Sequence, residues 1–156
     1  MAEPSPEVCL RPVTRGTWEA CVALEVTEDQ RRFVSPVARY LALCSHGGQW
    51  APVAVHAGSD VVGFAMWAID EEDGSAWIGG LVIDRDRQRQ GYGRAAMERL
   101  IAMLAGTGAD QIALCYEPDN LVARTLYAGL GFRETGELID GEVVARLDVP
   151  DTARPS

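Results

Sequence analysis

One segment constrains this chain more than any other. An apolar run, Trp77 to Ile83, passes through Asp84-Arg85-Asp86-Arg87 and Gln88-Arg89-Gln90-Gly91-Tyr92-Gly93-Arg94 into the longest helical pattern in the sequence. In that order, strand, glycine-bearing loop and helix place the unpaired N–H groups and partial positive charge of a helix N-terminus beside the loop. That arrangement suits a phosphate. Gly91 and Gly93 let the backbone approach such an anion closely. Five arginines, Arg85, Arg87, Arg89, Arg94 and Arg99, stand between positions 85 and 99. The loop also satisfies the dinucleotide pattern G-x-G-x-x-G/A, with Ala96 last, but no partner acid of a βαβ unit is suitably placed, so the pattern alone is weak.

The flanking sequence argues against a doubly wound sheet. Leu10 to Val13 reads as a strand, and Thr17 can cap a helix to about Leu24 with Trp18, Cys21, Val22 and Leu24 on its apolar side. Val26 to Pro36 is irregular or short helix, and a helix from Val37 to Cys44 ends at His46-Gly47-Gly48. Ala51 to Ala57 and Val61 to Ile69 form a hairpin across Gly58-Ser59-Asp60, and Ser75 to Ile83 is a third long strand. Gly79-Gly80 weakens that strand unless a bulge or close backbone approach is wanted there. Apolar positions Met97, Leu100, Ile101 and Leu104 make Gly91 to Gly106 helical. Ile112 to Tyr116 is a buried strand and Leu121 to Ala128 a helix. Phe132 to Leu138 and Val143 to Val149 then reverse at Asp140-Gly141. The order β-α-α-β-β-β-α-β-α-β-β requires a mixed sheet with helices on both faces, an α+β fold. A chain of 156 residues buries enough surface for one domain spanning 1–156, with 1–6 and 150–156 as frayed tails.

Composition removes several function classes. All 14 basic residues are arginine, so lysine nucleophiles and Schiff bases are excluded. A net charge of −9 disfavours nucleic acid and anionic lipid but attracts cations. No apolar run approaches the ~20 residues of a membrane-spanning helix, and the N-terminus lacks a secretory pattern, which reads as a cytoplasmic protein. Cys9, Cys21, Cys44 and Cys115 show no metal spacing and read as small buried hydrophobes; no metal site is expected. His46 and His56 read as surface or loop residues, Asp70 to Asp73 as a soluble hairpin turn, and the four tryptophans as packing.

The Gln88-Arg89-Gln90-Gly91-Tyr92-Gly93 segment resembles the acetyl-CoA loop, Q/R-x-x-G-x-G/A, of the GCN5-related N-acetyltransferase (GNAT) superfamily. A later segment of the same superfamily is matched by Asn120, Ala123, Leu126, Tyr127, Leu130, Gly131 and Phe132. The resemblance implies a mainly antiparallel sheet of six or seven strands, splayed between Ser75-Ile83 and Gln111-Tyr116 and flanked by about four helices. It implies that the N–H groups of Arg89 to Arg94 hold the pyrophosphate of coenzyme A, with Gln88 opening the motif. It further implies that Leu81, Val82 and Ile83 offer backbone groups to the pantetheine arm, that Asn120 holds the cofactor or the following helix, and that Tyr127 protonates the leaving thiolate. Kinship also implies a homodimer. Many relatives carry a glutamate base near the position of Trp77, where this chain has no acid. The region Leu24 to Val34 and the Asp140-Gly141-Glu142 hairpin are similar to bacterial spermine/spermidine acetyltransferases of the Blt type, which points to Glu25, Glu28 and Asp29 as binders of a cationic amine. Glu28 and Asp29 could instead flank a helix start.

The chemistry sets its own demands. An amine of pKa near 10.4 is neutral in only about one molecule in 10³ at pH 7, a cost of roughly 4 to 5 kcal/mol. Nearby acids attract the cation and relay its proton. The oxyanion of the tetrahedral intermediate needs a donor, for which the Val82 N–H is the candidate. Proton transfer from a tyrosine to a thiolate is uphill by roughly 2 kcal/mol, so Tyr127 needs a tuned environment. The expectation is an N-acetyltransferase acting on a small cationic amine such as a polyamine. Another acceptor (a protein N-terminus, an amino acid or an antibiotic) and a non-catalytic acyl-CoA sensor remain open.

Overall fold

The computed structural model describes residues 5–151; the outermost parts of the tails expected at 1–6 and 150–156 lie outside the described residues. In chain order the elements are β1 (Cys9–Pro12), α1 (Trp18–Val22), α2 (Val37–His46), β2 (Ala51–Ala57), β3 (Asp60–Ile69), β4 (Ala76–Ile83), α3 (Tyr92–Ala105), β5 (Gln111–Tyr116), α4 (Leu121–Gly129), β6 (Arg133–Ile139) and β7 (Glu142–Asp148). The strands form a seven-stranded sheet ordered β1-β2-β3-β4-β5-β7-β6. It is mixed and mainly antiparallel, the α+β architecture expected. By internal packing the described residues divide into two compact units, one within Met1–Trp67 and Gly80–Leu100, the other within Ala68–Gly79 and Ile101–Ser156.

In the first unit β2 is antiparallel to both β1 and β3, and its turn to β3 passes through Gly58 at φ +62. Both faces of β2 and β3 are covered, which is why these strands read as continuous apolar runs. Ala54, opposite Phe64, faces a cluster with Met66, Val82, Cys21, Leu24 and Val37. Val55 and Val62 face the other way, against Val8, Ala95 and Ala96. Burying a side chain such as Phe64, fully shielded here, contributes about 2 to 3 kcal/mol.

Three local expectations change. The helix α1 is a single turn: Cys21 and Leu24 are buried, but Trp18 and Val22 are exposed. Thr17 does not cap it, because its hydroxyl accepts the Thr14 N–H at 2.9 Å and closes the preceding turn instead. His56 lies inside β2, only 6% exposed; burial, then Arg11, hold its pKa below the usual range, and Nε2 has no partner among the described residues. Cys9 is exposed, whereas Cys21 is buried and Cys44 and Cys115 are half-buried.

In the second unit β5 pairs antiparallel with β7 along its length, and β7 pairs antiparallel with β6. The β6–β7 turn uses Asp140 at φ +50 and Gly141 at φ +83, two left-handed residues in succession, the geometry of a tight hairpin. Every residue of β6 is exposed, with Arg133, Glu134 and Glu137 along a sheet edge. The pairing of β4 with β5 is parallel and short, Ala76 with Ile112 and Trp77 with Ala113.

Candidate active site

Of the residues expected to hold the cofactor, Leu81 to Ile83 and Gln88 to Arg94 lie in the first unit. Past Ile83 the chain leaves the sheet with the Asp84 N–H donating to Val62 at 2.9 Å, then makes a 3₁₀ turn at Arg85–Arg87. Gln88 is extended (φ −73, ψ 161), Arg89 is left-handed at φ +63, Gly91 is left-handed at φ +87, and α3 begins at Tyr92. Left-handed residues interleaved with others can turn successive N–H groups toward a common point, the principle of an anion-binding nest. The loop leads directly into the first turn of α3, whose N–H groups have no acceptor inside the helix. Glycine is required at 91 on two counts. Its φ is unfavourable for any side chain, and an added Cβ would lie 2.9 Å from Cδ of Pro6. Arg89 holds its left-handed conformation without a glycine's freedom, the kind of strain that collects at binding sites.

The arginines are not equivalent. Arg85 is paired with Glu25 at 3.6 Å, Arg87 with Asp60 at 2.9 Å and Arg94 with Glu98 at 3.1 Å. Arg89 is exposed and makes no ion pair among the described residues. Since exposed pairs contribute little, the paired arginines can still turn to an anion. Gln88 directs its amide inward, donating to the Ile83 carbonyl at 2.9 Å and exchanging hydrogen bonds with Gln30, while Gln90 reaches the Asp86 carbonyl at 3.3 Å. Val82 is buried at 3% exposure, so its side chain serves the core. Leu81 and Ile83 are half-buried.

The acidic segment packs in the same unit. Thr27 and Gln30 form a reciprocal capping box around the 3₁₀ turn Glu28–Gln30. Glu25 is held by Arg85, while Glu28 and Asp29 are exposed and make no ion pair among the described residues. Tyr40, which sequence reasoning did not single out, stacks on Phe64 at 6.1 Å and its hydroxyl accepts the Ser35 N–H at 2.9 Å. Its ring also explains Gly80: an added Cβ there would lie 3.3 Å from the Tyr40 ring, and φ is +61. Of the two readings for Gly79-Gly80, close approach is the one seen at Gly80. The sequence signal was the glycine; its partner, forty positions upstream, carried none.

The second unit holds Asn120 and Tyr127. Asn120 caps α4, its side chain accepting the Ala123 N–H at 3.2 Å, so of its two expected tasks the helix-holding one is visible. Tyr127 packs against Tyr116 at 5.6 Å and edge-on to Phe132 at 6.0 Å. The Tyr116 hydroxyl donates to Glu134 at 2.8 Å and Arg124 donates to the same carboxylate oxygen at 2.9 Å. The Tyr116 bond, then Arg124, hold the Glu134 carboxyl below its usual range; burial, then Glu134, push the Tyr116 phenol up. Cys115 donates its thiol to Glu142 at 3.0 Å, and burial together with that carboxylate pushes it up to about 12, so it is no nucleophile at neutral pH. Trp77 donates to Ser75 at 3.0 Å and lies under the Arg146 guanidinium at 5.4 Å. A hollow of about 460 Å³ in this unit, lined by Asp73, Ser75, Asp110, Gln111, Asp148 and Val149, shares no residue with the expected site. Among the described residues no group of three or more His, Cys, Asp or Glu could hold a metal.

Comparison with known proteins bears on the family and the fold. The model of the acetyltransferase (GNAT) family matches residues 18–132. The chain is 29% identical over 143 residues to the spermine/spermidine N(1)-acetyltransferase of Bacillus subtilis strain 168, covering 86% of this chain and 94% of that protein. It is 28% identical over 106 residues to the ribosomal protein bS18-alanine N-acetyltransferase of Escherichia coli K12, covering 68% and 70%. Its fold matches the crystal structure of spermidine N-acetyltransferase from Vibrio cholerae in complex with CoA and spermine, with a TM-score of 0.71, 19% identity and coverage of 89% and 92%. The chain belongs to the acetyltransferase (GNAT) family. It is an N-acetyltransferase whose acetyl donor is acetyl-CoA. Among the described residues no helix is long and apolar enough to cross a membrane.

Proposed function

We propose that this enzyme acetylates a primary amine of a small cationic molecule of the polyamine type, by direct attack on the thioester in a ternary complex. The observation that carries this reading is the 3₁₀ turn Glu28–Gln30, whose two carboxylates are exposed and without ion pairs among the described residues, fastened to the cofactor loop. A net charge of −9 adds long-range attraction for a polycation. The activities of the Bacillus and Vibrio relatives point the same way. The four free thiols suit a reducing, cytoplasmic setting, and kinship leaves a homodimer as the expected assembly.

When bound, acetyl-CoA supplies the thioester electrophile. The Arg89 to Arg94 backbone holds the pyrophosphate, and the backbone of Leu81, Val82 and Ile83 holds the pantetheine arm. The Val82 N–H donates to the carbonyl oxygen where charge builds. Glu28 and Asp29, with Glu25 beside them, bind the ammonium groups. Deprotonation cannot fall to a carboxylate at Trp77, so the amine proton leaves by way of water and the exposed acids. Tyr127 would return a proton to the thiolate; its ring packs against Tyr116 and Phe132.

Thiol release from acetyl-CoA, measured with spermidine, spermine, free amino acids and an alanine-terminated peptide, tests the reading. Polyamines are expected to give the highest kcat/KM, rising by about one log unit per pH unit from pH 6 to 8 as the neutral amine becomes available. Changing Glu28→Gln together with Asp29→Asn should raise the polyamine KM about tenfold with little change in kcat. An unchanged KM, or preference for the peptide, would reject the polyamine reading.

A further inference from the structure

The acidic segment and the cofactor loop are fastened at two points. At one end the Glu25 N–H donates to Asp84 Oδ1 at 3.1 Å, the Arg85 N–H donates to the Glu25 carbonyl at 2.7 Å, and the two side chains pair at 3.6 Å. At the other end Gln30 and Gln88 form a closed amide pair: Gln30 Nε2 donates to Gln88 Oε1 at 3.0 Å, and Gln88 Nε2 donates to Gln30 Oε1 at 2.7 Å. Gln30 Oε1 also accepts the Thr27 N–H at 3.3 Å, and Gln88 Nε2 also donates to the Ile83 carbonyl at 2.9 Å. Between the two fastenings lie only Val26, Thr27, Glu28 and Asp29, so both exposed carboxylates sit on a short bridge whose ends are hydrogen-bonded to the cofactor loop.

We propose that the Gln30–Gln88 pair is a latch through which cofactor binding orders the acceptor segment, with Gln30 a positioning residue that couples the two substrates. The chemistry of two primary amides allows it. Each donates once and accepts once within the ring, so neither side chain can turn or flip without breaking both bonds. Gln88 is the residue immediately before left-handed Arg89. Arg89 adopts that strained conformation where its N–H contributes to the nest, and an anion in the nest favours it. If Arg89 relaxes in the absence of an anion, the chain direction at Gln88 changes, the amide pair opens, and the Gln30 end of the bridge is released. Filling the nest therefore holds Glu28 and Asp29 in place for the amine. By reciprocity an amine on those carboxylates strengthens cofactor binding by the same factor. This inference rests on the loop being the cofactor site, but not on which amine is acetylated.

Hydrogen–deuterium exchange on the full chain, with and without saturating coenzyme A, tests the latch directly. In the wild type, coenzyme A is expected to slow exchange both at Tyr92 to Ala95 and at Thr27 to Gln30. In Gln30→Leu, protection at Tyr92 to Ala95 should persist while protection at Thr27 to Gln30 is lost, and the spermidine KM at saturating acetyl-CoA should rise about five- to tenfold with kcat nearly unchanged. If Gln30→Leu fails to fold, Gln30→Met keeps the side-chain length without the amide. Protection at Tyr92 to Ala95 without protection at Thr27 to Gln30 in the wild type would overturn the latch, as would coupling that survives in the variant. Protection at neither segment would instead overturn the placement of the cofactor, so the two failures are distinguishable.

Discussion

In the first unit the proposed cofactor loop takes its shape from backbone dihedrals and neutral amides: left-handed Arg89 and Gly91, and the Gln30–Gln88 pair. In the second unit Tyr127 is set by aromatic rings beside a charged contact, with Tyr116 and Arg124 converging on one oxygen of Glu134. A backbone nest presents the same N–H groups at any pH and is sensitive to sterics. A phenol–carboxylate–guanidinium contact is sensitive to charge. The two regions suit their proposed tasks, since a diphosphate needs fixed donors and an acid needs a tuned proton.

The sharpest way to break this contrast is a side chain at Gly91. Gly91→Val is expected to lower coenzyme A affinity by about 10²-fold in calorimetry, because a β-branched residue cannot hold φ +87 and would meet Pro6. Near-normal affinity would mean the loop does not bind through its backbone. In the second unit Tyr127→Phe should lower kcat by about 10²-fold at unchanged coenzyme A affinity, the loss of one general acid. A fall in affinity instead would make Tyr127 a binding residue. A smaller effect is expected of Glu134→Gln: kcat drops only a few-fold, and the Tyr116 phenol, followed by ultraviolet titration, ionises at lower pH because a carboxylate no longer disfavours its anion. An unmoved phenol would show that burial alone sets it.

The smallest effect separates the regions by thiol chemistry. At pH 8 a maleimide is expected to label exposed Cys9 of the first unit promptly and to leave Cys115 of the second untouched. Because the folded Cys115 pKa of about 12 lies above its ordinary value of 9.0, the unfolded chain loses this proton first as pH rises. Its contribution to stability is therefore complete below pH 9.0 and is lost progressively up to about 12. Chemical denaturation of Cys115→Ala and wild type across that range should show the flatter profile in the variant.

Much of the fold was legible in the chain, and so was part of the candidate site. Ala51–Ala57 was delimited from apolar run and turn signals alone, and Asp140-Gly141 announced a hairpin that both its dihedrals realise. Helix α3 was readable because Met97, Leu100 and Leu104 repeat at helical spacing, and all three are buried. Other features were not legible. Trp18 and Val22 carried an apolar pattern, yet α1 is too short to bury that face. His56 looked like a surface residue because nothing local says that both faces of β2 are covered.

The sequence by itself determined which segments become strands and helices, where the glycine-bearing loop opens the central helix, and which side chains are available for acyl transfer. Those are local properties, fixed by periodicity, turn chemistry and the steric freedom of glycine. Tertiary structure decided the pairings. Gln30 meets Gln88 across 58 positions, Tyr40 closes on Gly80, and Tyr116 shares Glu134 with Arg124. No pattern along the chain marks such partners, because a hydrogen bond between distant residues depends on how whole elements pack and not on the residues that flank either end.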